Sequence, residues 1–204
     1  MADHYFSASP AVPLRTGRVA LRLADMEMEL TTGSGVFSAG RVDPGTVALL
    51  RGSGPPPERG DVLDLGCGYG PIACALARRA PGATVWAVDV NRRALELTAA
   101  NAADLGLPNV RVATPEEVPP ELAFAGLWSN PPVRVGKEAL HEMLAQWTRR
   151  LEAGAAAWLV VNRHLGGDSL AAWLSAEGWT VHRVASKSGY RVLRATAGAP
   201  GAAR

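Results

Sequence analysis

Lysine is almost missing from this chain. Its 204 residues hold only Lys137 and Lys187 against nineteen arginines, and the net charge is only +2. No overall polycation exists, so gross charge alone names no partner. The arginine bias suits bidentate phosphate contacts and stacking on bases, as in RNA recognition, and equally suits a protein that uses Arg as its default surface cation. Cysteine is also scarce. Cys67 and Cys74 are the only two, too few for a disulfide scaffold or a cysteine-rich zinc site. No apolar run is long enough to span a bilayer and no leader-like N-terminus is present, so the expected compartment is the cytoplasm, with no membrane partner. None of His4, His141, His164 and His182 has a partner spaced for a metal site or a Ser-His pair, so each reads as structural or surface.

What is present is an alternation of strand and helix signals. Nearly half of the residues are apolar, enough for one domain with a full core. Residues 1–52 are expected to form an N-terminal arm, a hairpin (18–23 and 27–32, turning at Ala24-Asp25) and a helix capped by Asp43 with Pro44 at its first position, together covering the functional site. Residues 53–60 read as a Gly/Pro linker. Residues 61–196 alternate. Strands are expected at 62–65, 84–88, 110–113, 123–128, 156–161, 180–185 and 190–195, with helices near 71–79, 92–105, 137–151 and 169–177. In the helix at 137–151, Leu140, Met143, Leu144, Trp147 and Leu151 fall on one face, predicting a buried stripe. The last two strands lack a helix between them, and Lys187-Ser188-Gly189 predicts a hairpin. The fold class is therefore α/β, a doubly wound sheet whose last strand is antiparallel. The tail 197–204 reads as disordered.

The chemistry begins at Val62-Leu63-Asp64-Leu65-Gly66-Cys67-Gly68-Tyr69-Gly70. A short strand ends in an acidic residue, then glycines at alternate positions lead into a helix. A dinucleotide loop reads GxGxxG, whereas here the pattern is GxGxG and Pro71 takes the place of the third dinucleotide glycine. A carboxylate at Asp64 repels phosphate and favours a ligand carrying an ammonium group, such as S-adenosylmethionine (AdoMet). Asp89 ends the next strand, where an acidic residue accepts hydrogen bonds from ribose hydroxyls. Val90 and Asn91 follow where the adenine would lie. A lone Asp before a helix is usually a cap, but the glycine loop one helix upstream makes the pair specific. The third element is Ser129-Asn130-Pro131-Pro132 after a strand. Two prolines remove two backbone donors, leaving the Asn130 side-chain oxygen and the carbonyls of Asn130 and Pro131 as acceptors, which is what a planar amine requires.

These motifs together, with Gly35-Val36-Phe37-Ser38, Asp43 and the continuation to Gly136-Lys137, resemble class I AdoMet-dependent N-methyltransferases. More narrowly the chain resembles the "small" methyltransferase family, best known for enzymes that methylate guanine N2 in small-subunit ribosomal RNA. The resemblance runs from His4-Tyr5-Phe6-Ser7 to the C-terminal strand. It implies a Rossmann-like seven-stranded sheet of order 3-2-1-4-5-7-6 and AdoMet as cofactor, with S-adenosylhomocysteine as product and no metal. Asp64, Gly66, Cys67, Gly68, Gly70, Asp89, Val90 and Asn130 are the expected cofactor contacts. Asn130, Pro131 and Pro132 are the expected catalytic set. Phe37, Val133, Arg134 and Lys137 are expected to face the substrate, a ribosomal RNA rather than DNA; Arg163, Lys187 and Arg191 could add phosphate contacts.

The chain departs from the family at Val133, where related enzymes carry an aromatic thought to stack on the base. Phe37 or Trp128 could replace it, Phe37 being preferred for its flexible loop. Thr114-Pro115-Glu116 occupies the usual adenine contact. The double-domain members' degenerate second half is not among these residues, so the substrate could differ from theirs. Competing readings are a protein-glutamine or small-molecule N-methyltransferase, a non-catalytic AdoMet-binding assembly factor and, last, a dehydrogenase. Monomer and homodimer are equally compatible with the sequence.

Overall fold

The computed structural model describes residues 12–197, the side chain of Arg134 excepted. The His4-Tyr5-Phe6-Ser7 motif and residues 198–204 lie outside them. The first elements of the described residues form a hairpin, β1 (Thr16–Arg22) and β2 (Glu27–Gly33), which makes its own two-stranded sheet. Helix α1 (Pro44–Gly52) follows. Strands β3 (Gly60–Leu65), β4 (Ala83–Val88), β5 (Val110–Ala113), β6 (Phe124–Ser129), β7 (Leu151–Asn162), β8 (Trp179–Lys187) and β9 (Tyr190–Ala197) build the main sheet. Helices α2 (Pro71–Arg79), α3 (Arg92–Asp104), α4 (Lys137–Thr148) and α5 (Gly167–Ala176) connect them. The sheet order is β5-β4-β3-β6-β7-β9-β8, with β9 antiparallel to both neighbours. Counted from β3, this is the expected 3-2-1-4-5-7-6.

Both sheet faces are covered, so the central strands are apolar on both sides. Successive residues of β3 enter different cores. Val62 packs with α1, α2, α3 and the hairpin, while Leu63 packs with α4 and α5, as the period of two requires. The β8–β9 turn is tight because Ser188 and Gly189 both take left-handed φ values, 52° and 82°, the signature of a two-residue primed turn. Among the described residues no helix is long and apolar enough to cross a membrane.

Three expectations change. Helix α4 stops at Thr148, and β7 begins at Leu151 rather than at 156, so Leu151 leaves the helical stripe and pairs with Phe124. Arg150 explains the switch. Its guanidinium donates to the carbonyls of Pro119 and Leu122 and lies 5.2 Å from the Phe124 ring and 4.9 Å from Trp147, which draws the chain against the start of β6. Trp128 is not a base platform: it is 1% exposed and stacks on Trp158 in the core. Ala197, expected in the tail, closes β9.

The hairpin is fastened to the helices on one face of the sheet by polar side chains. Asn101 of α3 accepts from Thr31 N (2.7 Å) and donates to Thr31 O and Tyr69 O (2.8 Å each), bridging β2 and the glycine loop. Arg79 forms a two-pronged pair with Asp25 at the hairpin tip (2.8 and 3.1 Å). Asn91 Nδ2 donates to Gly35 O (2.8 Å), holding the 33–38 loop over the start of α3.

Candidate active site

Strands β3 and β6 pair side by side and their connections leave in opposite directions, so a crevice opens beyond their carboxyl ends. Ser129 Oγ donates to Leu65 O (2.7 Å) and ties the two strand ends together below it. The crevice holds a cavity of about 550 Å³.

One wall is the glycine loop. Gly66, Gly68 and Gly70 have φ of 76°, 58° and 88°, a region that L side chains avoid. A Cβ on Gly66 or Gly68 would meet nothing within 4 Å, whereas one on Gly70 would come 2.8 Å from Thr98 Cγ2. The first two glycines thus leave free space along a ligand's path, and the third lets the loop rest on α3. Gly66 N and Cys67 N both donate to Val88 O (2.8 and 3.1 Å). Cys67 sits in the loop with its thiol pushed well up by burial and by the charges of Asp89 and Asp64, so it stays protonated and is no nucleophile.

Asp89 lies at the end of β4 on the cavity wall. Its Oδ2 accepts from Gly68 N and its Oδ1 from Asn91 N, both at 2.9 Å. Burial raises its pKa against the pull of those backbone donors. The Val90 N–H also acts on the carboxylate, and its four acceptor positions leave capacity for a hydroxyl donor. Val90, 44% exposed, and Pro115 with Glu116 also line the cavity, close to where an adenine was expected. Asp64 is placed differently from the expectation. It is fully buried beneath the loop, does not line the cavity, and its Oδ2 accepts from Ala73 N of α2 (2.8 Å). Its Oδ1 has no hydrogen-bond partner in the protein.

Asn130 stands opposite the loop. Its Nδ2 donates to Asp43 Oδ2 (2.9 Å) and Thr46 Oγ1 (3.1 Å). Pro131, Pro132 and Val133 line the cavity beside it. The Pro131 carbonyl, expected free, accepts from Val133 N (2.9 Å), which leaves it one lone pair. Phe37 reaches the cavity from the 33–38 loop at 40% exposure; Ser38 turns that loop with φ 58° and its hydroxyl donates to Arg41 O (2.7 Å). Lys137 begins α4, exposed and off the cavity wall. Arg191 is turned inward and ion-paired with Asp168, which removes it from the phosphate contacts expected. Of the histidines, His141 stacks on Trp173 at 4.0 Å and His164 accepts from Arg163 Nε (2.8 Å).

Residues that sequence reasoning did not assign to the site also line the cavity: Asp43, Thr46, Gln146, Asn162 and Tyr190. Asp43 carries a cap signal and a place in the family resemblance, neither of which assigns its side chain to the site. Tyr190 had a topological signal. Because β9 runs antiparallel to β7, its first residue lies at the same sheet edge as the last residue of β7, Asn162, and therefore beside the crevice.

A model of the methyltransferase small domain matches residues 27–194. The chain belongs to that family. The uncharacterized protein YbxB of Bacillus subtilis is 34% identical over 198 residues, covering 96% of this chain and 98% of that one. Ribosomal RNA small subunit methyltransferase C of Ectopseudomonas mendocina is 34% identical over 191 residues, covering 86% of this chain and 56% of that one. Among solved structures, the T. thermophilus 16S rRNA N2 G1207 methyltransferase (RsmC), in complex with AdoMet and guanosine, superposes with a TM-score of 0.77 at 28% identity over 92% of this chain and 52% of that one. The chain thus spans about half the length of these two RNA methyltransferases. As a small methyltransferase it is AdoMet-dependent. Its own residues fit that cofactor: an open glycine cradle at Gly66 and Gly68, and a carboxylate at Asp89 on the cavity wall with acceptor capacity to spare.

Proposed function

We propose that this chain methylates an exocyclic amine of RNA, guanine N2 of small-subunit ribosomal RNA. One observation carries the reading of an amine. The Asn130 amide spends its donor face on Asp43 and Thr46, so its remaining hydrogen-bonding group is the acceptor Oδ1. An NH₂ group brings donors to match it. The likeness to enzymes named for small-subunit ribosomal RNA, one of them solved with guanosine, supports the choice of guanine.

In this reading Gly66, Cys67 and Gly68 hold the amino-acid part of AdoMet, Asp89 accepts from its ribose, and Val90 packs on its adenine; Gly70, expected among the cofactor contacts, does not line the cavity and serves the packing of the loop on α3 instead. Bound there, AdoMet supplies a methyl group on a sulfonium and leaves as S-adenosylhomocysteine. The Asn130 Oδ1 and the spare lone pair of the Pro131 carbonyl accept the two amine protons and turn the nitrogen lone pair out of conjugation with the ring. Pro132 keeps the turn rigid. Phe37 and Val133 contact the base, and Arg134 and Lys137 its flanking phosphates. No strong base is needed, because a nitrogen that has gained a methyl group sheds its proton readily. Positioning is then the main contribution of the protein.

The test is transfer of labelled methyl from AdoMet to naked ribosomal RNA, assembled small subunits and total protein, taken from cells lacking this gene. Label is expected in RNA at guanine N2. Asn130→Ala is expected to lower turnover by roughly 100-fold or more, the scale for losing one aligned polar contact in an active site, with AdoMet affinity nearly unchanged. Label in protein would replace this reading with methylation of a glutamine amide. No label in any of them would withdraw it.

A further inference from the structure

We infer that Asp43, at the N-terminus of α1, is a positioning residue for the methyl transfer: its carboxylate dictates which face of the Asn130 amide meets the target amine. The inference deepens the proposed function and rests on Asn130 as the amine's acceptor. An asparagine amide has two nearly isosteric orientations, one presenting oxygen and the other NH₂. Only the first suits an amine; the second sets donor against donor. Pro131 and Pro132 fix the backbone but cannot choose between these orientations.

Asp43 makes the choice because a carboxylate accepts and does not donate. Its Oδ2 collects three donors: Gly45 N (2.7 Å), Thr46 N (3.2 Å) and Asn130 Nδ2 (2.9 Å). The first two cap α1 and immobilise the carboxylate, and the third transmits that rigidity to the crevice. Flipping the amide would bring its oxygen against a charged oxygen. Thr46 Oγ1, on a residue 4% exposed, accepts the second Nδ2 proton at 3.1 Å. Tyr190 closes the arrangement. Its phenol interacts with both Asp43 and Asn162, and its ring lies so near α1 that a Cβ on Gly45 would come 2.7 Å from Tyr190 Cε1 and 2.7 Å from Asp43 Oδ2. A single helix start therefore serves as cap, charge and orienting group for a residue 87 positions away.

Capping can be separated from orienting. Ser, Asn and Asp are comparable caps, but Ser is too short to hold Asn130. Asp43→Ser, Asp43→Asn and Thr46→Val are compared in the full-length chain, alone and combined with Asn130→Ala. The first readout needs no substrate. In ¹⁵N-labelled protein the two Asn130 Nδ2 protons, identified by their loss in Asn130→Ala, are expected to be well separated and slow to exchange. Asp43→Ser should collapse that separation and speed exchange, while Asp43→Asn should retain both. The second readout is methyl transfer. Asp43→Ser should lower kcat about 10- to 100-fold, the size of a small misplacement, with AdoMet affinity within about threefold; Asp43→Asn should restore most of it. In the Asn130→Ala background Asp43→Ser should cost nothing more. Unchanged Nδ2 signals in Asp43→Ser, or multiplicative losses in the double variant, would overturn the inference. A wild-type protein that methylates none of the acceptors would sink the proposed function, and the Nδ2 signals would still decide the role of Asp43.

Discussion

Asp64 holds a carboxyl group where no water reaches it. Burial raises its pKa to about 8, with the nearby charge of Asp89 adding to the shift and the Ala73 N–H opposing it. In the unfolded chain the same group titrates near ~4. Between about 4 and 8 the unfolded state has therefore released a proton that the folded state keeps, so stability falls as pH rises through that window and levels off above it. Asp64→Asn keeps an acceptor for Ala73 N–H and removes the titration. Without AdoMet, the variant should gain melting temperature relative to the parent steadily from pH 5 to pH 8. Melting curves at several pH values check this, and parallel pH profiles for the two proteins would exclude it. The residual slope should belong to Asp89, whose pKa burial also raises. Asp64 also shows what a motif leaves out. An acidic residue before a glycine loop is legible, but whether its side chain meets the ligand or props the loop depends on which side of the pleat it takes, and here it takes the side under α2.

The loop from Gly66 to Gly70 contains two kinds of glycine, and one substitution tells them apart. All three have positive φ, so alanine at any of them costs about 1–2 kcal/mol of backbone strain. At Gly66 the new methyl enters open cavity; the fold should survive with little more than that cost while AdoMet binding disappears. At Gly70 the methyl overlaps Thr98 at 2.8–3.2 Å, so α3 must shift, and Gly70→Ala should lose several kcal/mol by the overpacking scale. Chemical denaturation beside AdoMet titration separates the two, and equal stability losses would refute the distinction. Spacing alone placed these glycines on the loop, but nothing in GxGxG says which one faces a ligand and which a helix. The α4–β7 boundary was hidden for a similar reason. Leu151 continues the helical period of Leu140, Leu144 and Trp147, and only the tertiary grip of Arg150 on Pro119, Leu122 and Phe124 pulls it into a strand.

The crevice joins three units far apart in sequence: the β1–β2 hairpin with α1, the glycine loop after β3, and the Asn130 turn after β6. Strand and helix alternation from β3 onward could be read from periodicity, because each element buries an apolar face of the expected period. The strand order came from family resemblance, since no local pattern tells β3 to lie beside β6. That α1 belongs to the part covering the site was legible, but its contact with Asn130 was not: Asp43 looks the same whether its carboxylate ends at a cap or goes on to Asn130. Such joining makes cofactor binding and overall stability one problem. AdoMet at about 100 times its Kd should add roughly 2.7 kcal/mol, or about 5–10 °C in melting temperature for a domain of this size. Asn101 is where the joining can be loosened away from the ligand, because it touches neither Asp89 nor Asn130 and bridges Thr31 to Tyr69. Asn101→Ala strands buried partners on both sides, costing about 1–3 kcal/mol for each group left unsatisfied. If the hairpin braces the loop, this variant should melt lower without AdoMet and bind AdoMet several-fold more weakly, with a smaller shift at the same ligand concentration. A lower melting point with unaltered AdoMet affinity would instead make the hairpin a cover that stabilises the fold without shaping the site.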